Sequence, residues 1–68
     1  MNGDLLTADE VAAQLRTTAR LVRRLVSERR IEYVKVGRSI RFEHAAVAAF
    51  VARNRVRPDS RRSEAEAA

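Results

Sequence analysis

A chain of 68 residues is long enough for one small domain and too short for two. It contains no cysteine and one histidine, which excludes disulfides and makes a metal centre built on cysteine or histidine implausible. No apolar run approaches the roughly 18 residues of a membrane span, and the first residues lack the pattern of a signal peptide. We therefore expect a soluble, cytoplasmic protein that needs no cofactor.

Positive charge is concentrated in the middle of the chain. The protein has 14 basic and nine acidic residues, and a net charge of +5. Residues 16–41 hold nine basic residues against two acidic ones, a net of +7, whereas residues 1–15 carry three acids and no base. Such clustering is the electrostatic signature of a protein that binds nucleic acid.

The first predicted helix covers residues 8–15. The sequence TADE has the form of a capping box, in which Thr7 caps the helix and Glu10 reaches back to it. Apolar residues follow on one face of the helix, and a leucine that precedes the cap can pack against them. A threonine at 17 or 18 is placed to cap a second helix. Two short helices joined by about three residues form a helix-turn-helix.

The second predicted helix, residues 18–28, has an apolar face and a basic face. At about 100° per residue, its polar side chains fall within one arc. They are Arg20, Arg23, Arg24 and Ser27. No acidic side chain falls among them, although an ordinary solvated helix gains from i,i+4 pairs of opposite sign. A plain soluble face remains open, but repulsion among three arginines favours an anionic partner.

A β-hairpin is predicted at residues 33–42. β-branched and aromatic residues flank the tripeptide GRS, and Gly37 suits the positive φ of a tight turn. Alternation across a three-residue turn predicts four inward side chains, Val34, Val36, Ile40 and Phe42. The side chains expected outward or at the tip are Lys35, Arg38, Ser39 and Arg41. A two-stranded hairpin is not stable alone, so it must pack against the helices.

A third helix is predicted at residues 44–53, with Val47, Phe50 and Val51 as its apolar stripe. Residues 57–68 have no apolar periodicity, and we expect a disordered tail there. Residues 1–56 would then form a single domain of the α+β class, a small winged helix-turn-helix whose wing is the basic hairpin.

Three segments carry patterns of a known family. They are LLTADEVAAQL at 5–15, LVRRLVSERRIEYVKVGRSIRF at 21–42 and AVAAFV at 46–51. They resemble the excisionase/MerR-like winged helix-turn-helix family, which has an LLT-x-x-E-x-A opening, an arginine near the middle of its second helix and a K-V-G-R-x-x-R wing. Arg16 and Arg29 stand where members of that family commonly have glycine.

The arginines of the second helix are the leading candidates for contacts in a DNA groove. A guanidinium can bridge O6 and N7 of guanine or clamp a phosphate, and which of the three reads bases stays open. Thr17, Thr18 and Ser27 are candidates for phosphates, the threonines with help from the helix N-terminus. Capping alone is the structural alternative for Thr18. The resemblance places the base-contacting start of the helix at these threonines and Ala19.

The wing supplies the remaining candidates, which are Lys35, Arg38, Ser39 and Arg41. We expect them to meet the DNA backbone or the minor groove, whose negative potential favours arginine. Lys35 and Arg41 could also be ordinary outward strand residues. No Ser/His/acid set and no paired carboxylates point to catalysis, so we do not expect an enzyme.

The resemblance implies a phage excisionase, also called a recombination directionality factor. Such a protein binds DNA beside an attachment site and helps a tyrosine integrase to excise an integrated genome. Its partners would be double-stranded DNA, a tyrosine integrase and further copies of itself, on the nucleoid of a bacterial host cell and without a membrane. A small MerR-like transcription regulator and a protein-interaction module such as an antitoxin stay open as alternatives.

One helix and one wing can read only a few base pairs, so several copies are needed to recognise a unique site in a genome. The sequence has no heptads from which to build a coiled-coil dimer. We therefore expect a protein that is monomeric alone, binds tandem sites head-to-tail and cooperatively, and bends the DNA.

Overall fold

The computed structural model describes residues 4–58 as three helices and one antiparallel hairpin. In chain order the elements are α1 (Ala8–Leu15), α2 (Ala19–Ser27), β1 (Val34–Val36), β2 (Ser39–Arg41) and α3 (His44–Arg53). This order confirms the predicted winged helix-turn-helix of the α+β class. Of the predicted tail, residues 59–68 lie outside the described residues.

α1 and α2 begin at the predicted caps. The Thr7 hydroxyl accepts a hydrogen bond from the Glu10 amide at 3.1 Å, and the Thr7 amide donates to the Glu10 carboxylate at 2.9 Å, which completes the capping box. The Thr18 hydroxyl accepts from the Leu21 amide at 3.1 Å. Because Thr18 and Glu28 are caps, α2 is one residue shorter at each end than predicted.

Two arginines adopt the left-handed backbone conformation that favours glycine. Arg16, which ends α1, has a φ of 57°, and Arg29, just after α2, has a φ of 58°. These are the two positions at which the family resembled by this sequence commonly has glycine. A non-glycine residue in this conformation costs about 1–2 kcal/mol, so each arginine sustains a turn that glycine would make more easily.

We expect Arg16→Gly to leave the free energy of unfolding unchanged or to raise it by up to about 1 kcal/mol. Relief of the left-handed strain offsets the greater entropy of glycine in the unfolded chain. Arg16→Val should instead lower the free energy of unfolding by about 1–2 kcal/mol, because a β-branched residue tolerates a positive φ poorly. Urea denaturation of the three proteins checks this. Equal losses in both variants would mean that the arginine side chain, and not its φ, matters.

The turn of the hairpin has two residues and not the predicted three. The register pairs Val34 with Arg41, Lys35 with Ile40 and Val36 with Ser39. Gly37 and Arg38 therefore form the turn. Gly37 has a φ of +64°, and nothing lies within 4 Å of where its Cβ would be, so the backbone conformation rather than crowding calls for glycine. Glycine at the first of two turn residues is the pattern of a type II′ hairpin.

The shorter turn makes the predicted alternation wrong for β1. Cross-strand partners project from the same face of an antiparallel pair, and a register change of one residue exchanges the faces of one strand. Ile40 and Phe42 pack into the core as predicted. Val34 and Val36 belong to the opposite face, and Val36 is 50% exposed. Lys35 shares the face of Ile40.

The core lies between the helices and the base of the wing. Within residues 4–58, its fully buried side chains are Val11 of α1, Val22 of α2 and Phe42, which follows β2. Phe42 and Leu6 exchange two backbone hydrogen bonds, at 2.7 and 2.8 Å. This bridge fastens the segment before α1 to the end of the wing, so the hairpin is held to the helices by backbone as well as by packing.

α3 covers the bounds predicted for it but buries a different stripe. Ala46 and Val47 are buried and Phe50 packs against the core, whereas Val51, predicted to be buried, is 39% exposed. At about 100° per residue, Phe50 lies close to the centre of the face between Ala46 and Val47, and Val51 lies about 90° away from it. The buried pair, which only the tertiary packing defines, sets the orientation of the helix.

Candidate nucleic-acid interface

A groove separates α2 from the wing, and arginines of both elements line it. α2 contributes Arg23, Val26 and Ser27. The contribution of the wing and the residue after it is Arg38, Ser39, Ile40, Arg41 and Phe42. The first turn of α1 closes the groove with Thr7, Ala8 and Asp9. The fold thus brings basic side chains that lie far apart in sequence to one surface, which we call the α2–wing groove.

The polar face of α2 continues outward from this groove. Its members, Arg20, Arg23, Arg24 and Ser27, are all exposed. The opposite face is buried through Val22 and Leu25. The division into a basic and an apolar face is therefore as predicted, and the basic face is turned away from the core.

The candidate DNA-binding side chains of the wing differ in their exposure to solvent. Arg38 is exposed at the turn, and Ser39 and Arg41 are half-buried. Arg41 donates from Nη1 to the carbonyl of Ile40 at 2.9 Å, which folds its guanidinium back along its own strand. Lys35 is exposed but does not line the α2–wing groove. Arg38 is thus the exposed cation of the wing that lines the α2–wing groove.

The three residues at the start of α2 lie away from the α2–wing groove. Thr18 is exposed and caps the helix. Thr17 is half-buried and lines a separate groove between α2 and α3. Ala19 is half-buried and packs against the core. If these residues contact a partner, they do so at the margin of the basic face.

One acidic side chain, Glu28, reaches the polar face of α2, so the prediction of a face without acid is wrong. Glu28, the C-terminal cap, reaches back so that its Oε2 lies 3.3 Å from Nε of Arg24, and its Oε1 lies 3.6 Å from Nη1 of Arg30. The i,i+4 spacing of Arg24 and Glu28 was the available signal. Asp9, which the fold brings to the α2–wing groove, had no comparable local signal.

A family model for the helix-turn-helix domain matches residues 5–55, most of the chain. The chain belongs to the helix-turn-helix domain family. This family includes excisionase-like DNA-binding proteins. Comparison with curated proteins and with solved structures returns no match.

Membership in the helix-turn-helix family makes DNA the partner of this domain, which binds it in a sequence-specific manner. The family is typically not enzymatic. In such a domain the second helix of the motif is the recognition helix, which here is α2. Across residues 4–58 of this helix-turn-helix protein, no helix is long and apolar enough to cross a membrane, and no three acidic or histidine side chains gather as a metal site.

Proposed function

We propose that this helix-turn-helix protein is an excisionase. It would bind and bend attachment-site DNA, and so direct a tyrosine integrase towards excision of an integrated phage genome. The observation that carries the DNA-binding part is the α2–wing groove, which Arg23 of α2 lines together with Arg38 and Arg41 of the wing. The excision part rests on the resemblance of the first helix and the wing to excisionases.

The exposed arginines suggest how the duplex is engaged. The major groove of B-DNA is about 12 Å wide and admits an α-helix. With α2 in that groove, Arg20, near the centre of the polar face, and Arg24, on the side away from the wing, meet base edges. Arg23, on the side of α2 next to the wing, meets the flanking phosphates. Arg38 at the wing tip reaches the next stretch of backbone or the minor groove.

The described residues also bear on assembly. Between residues 4 and 58 the longest helix, α3, has ten residues, which offers no seam for a coiled-coil dimer. We propose that specificity beyond a few base pairs comes from several copies on neighbouring sites. Copies related by translation along the duplex contact one another head-to-tail, and the contact need not close. Each copy would engage adjacent grooves, so an array of them bends the DNA.

The test begins with selection of binding sites from a random duplex library, followed by gel shifts on fragments with one, two or three copies of the selected site. We expect cooperative, stepwise bands on direct repeats, faster migration when the bend lies near a fragment end, and a monomer in sedimentation without DNA. An integrated reporter whose attachment sites contain these repeats should be excised more often when the protein is co-expressed with its integrase.

The opposite results are equally specific. A stable dimer in solution that prefers inverted repeats would contradict the excisionase proposal and indicate a short transcription regulator of the MerR-like type. Absence of binding to any duplex would contradict the DNA-binding surface itself and favour a protein-interaction module.

A further inference from the structure

We propose that Glu28 determines specificity by holding Arg24 in place as the arginine that reads bases. The inference rests on the proposed placement of α2 in the major groove. Glu28 lies at the edge of the proposed DNA-binding surface, where its negative charge repels the phosphates and weakens binding to every sequence. Such a residue needs a compensating role, and the ion pair with Arg24 supplies one.

Both oxygens of the Glu28 carboxylate are engaged on this surface. Oε2 lies 3.3 Å from Nε of Arg24, and Oε1 lies 3.6 Å from Nη1 of Arg30. The Glu28 amide also donates to the carbonyl of Arg24 at 2.9 Å, so the last helical hydrogen bond fixes the backbone from which the side chain starts. The carboxylate is therefore oriented by a cation on each side and by the end of the helix.

Glu28 pairs with Nε of Arg24, and this choice of atom decides which N–H groups of Arg24 remain available to DNA. A guanidinium has five N–H donors in a fixed fork. With Nε directed at the carboxylate, the outer N–H groups on Nη1 and Nη2 stay free, and they form the fork that can meet O6 and N7 of guanine. The Arg24 side chain is 66% exposed, so its outer end is accessible to DNA.

Arg20 and Arg23 share the polar face but have no such support, since within residues 4–58 neither pairs with a carboxylate. A free arginine must give up rotamer freedom when it binds, whereas an arginine that is already oriented gives up less. The difference favours Arg24 for the geometrically demanding contact to a base. Arg20 can reach a base edge without this orientation, and Arg23 suits phosphates, which accept a donor from many directions.

The experiment compares Glu28→Gln with a charge-matched control, Glu32→Gln. Glu32 is exposed, lies four residues further along and makes no ion pair within the described residues. Dissociation constants are measured on the selected site, on the same site with one base pair changed at the position that Arg24→Ala relaxes, and on a random duplex. Thermal melting, monitored by circular dichroism, checks that each variant is folded.

We expect Glu28→Gln to tighten binding to random duplex, by about twofold, while its discrimination against the changed site falls by about two- to fivefold. Glu32→Gln should tighten binding to all three duplexes alike and keep the discrimination of the parent protein. In a double-mutant cycle, Glu28→Gln should have no effect on discrimination once Arg24 is alanine.

Two results would overturn the proposal. One is unchanged discrimination in Glu28→Gln, and the other is a loss of discrimination that persists in the Arg24→Ala background. Both require a parent protein that binds its site specifically. Failure of the parent to bind any duplex would instead contradict the proposed function, so the two failures can be told apart.

Discussion

Phe42→Ala should lower the free energy of unfolding by about 3–5 kcal/mol, which is a large share of the 5–15 kcal/mol typical of a folded domain. Phe42 is fully buried and is the largest of the three fully buried side chains. Its backbone also pairs with Leu6, so the cavity opens where the wing is fastened to the segment before α1. A small domain has few other contacts to compensate. Helical circular dichroism under urea should show most of the variant unfolded, or unfolding at much lower urea.

The matched control is Val36→Ala in β1, which removes an apolar side chain that is 50% exposed. We expect a change within about 0.5 kcal/mol, as for most surface substitutions. The pair also tests the hairpin register, because a three-residue turn would place Val36 opposite Ile40 on the buried face that Phe42 shares. A large loss for Val36→Ala would contradict the two-residue turn.

Arg24→Ala should weaken binding to the selected DNA site by about 1–3 kcal/mol and relax the preference at one base pair. The reason is the loss of a bidentate contact to a base edge, and Arg20→Ala should act in the same way if it also reaches a base. Arg38→Ala should weaken binding to all sequences about equally, because the wing mainly meets the backbone. Affinities for the site, for single-base variants of it and for random duplex distinguish the two patterns.

Arg55→Ala is the control, because it removes the same charge from the groove between α2 and α3. It should leave the preference among sequences unchanged. If Arg24→Ala and Arg38→Ala weaken every duplex by the same factor, the division between a base-reading helix and a backbone-binding wing is wrong.

The parts of this fold that could be predicted from sequence are those set by neighbours along the chain. The capping box at Thr7 and Glu10 and the two-faced pattern of α2 depend on residues within one or two turns of helix. They appear in the structure as predicted. The basic face of α2 was visible for the same reason, since a helix has one period and that period assigns every side chain to a face.

The parts that escaped prediction depend on one-residue differences or on distant contacts. The turn at Gly37 fits two or three residues, and the choice exchanges the faces of β1, so Val36 was placed on the wrong side. Val51 is exposed because the packing partner of α3, and not its own sequence, orients the helix. Asp9 joins the α2–wing groove only through the tertiary fold. Arginine itself gives no sign of the positive φ at residue 16, and only the family's glycine at that position pointed to it.

The central claim, that the basic surface binds duplex DNA, is tested most directly by the salt dependence of binding. Roughly four to six phosphates should be neutralised, so a plot of log K against log salt should fall with a slope of about −4 to −5. Removing the Arg23 and Arg38 charges together should make that slope shallower by about 2. A slope near zero, or one that these substitutions leave unchanged, would contradict the claim.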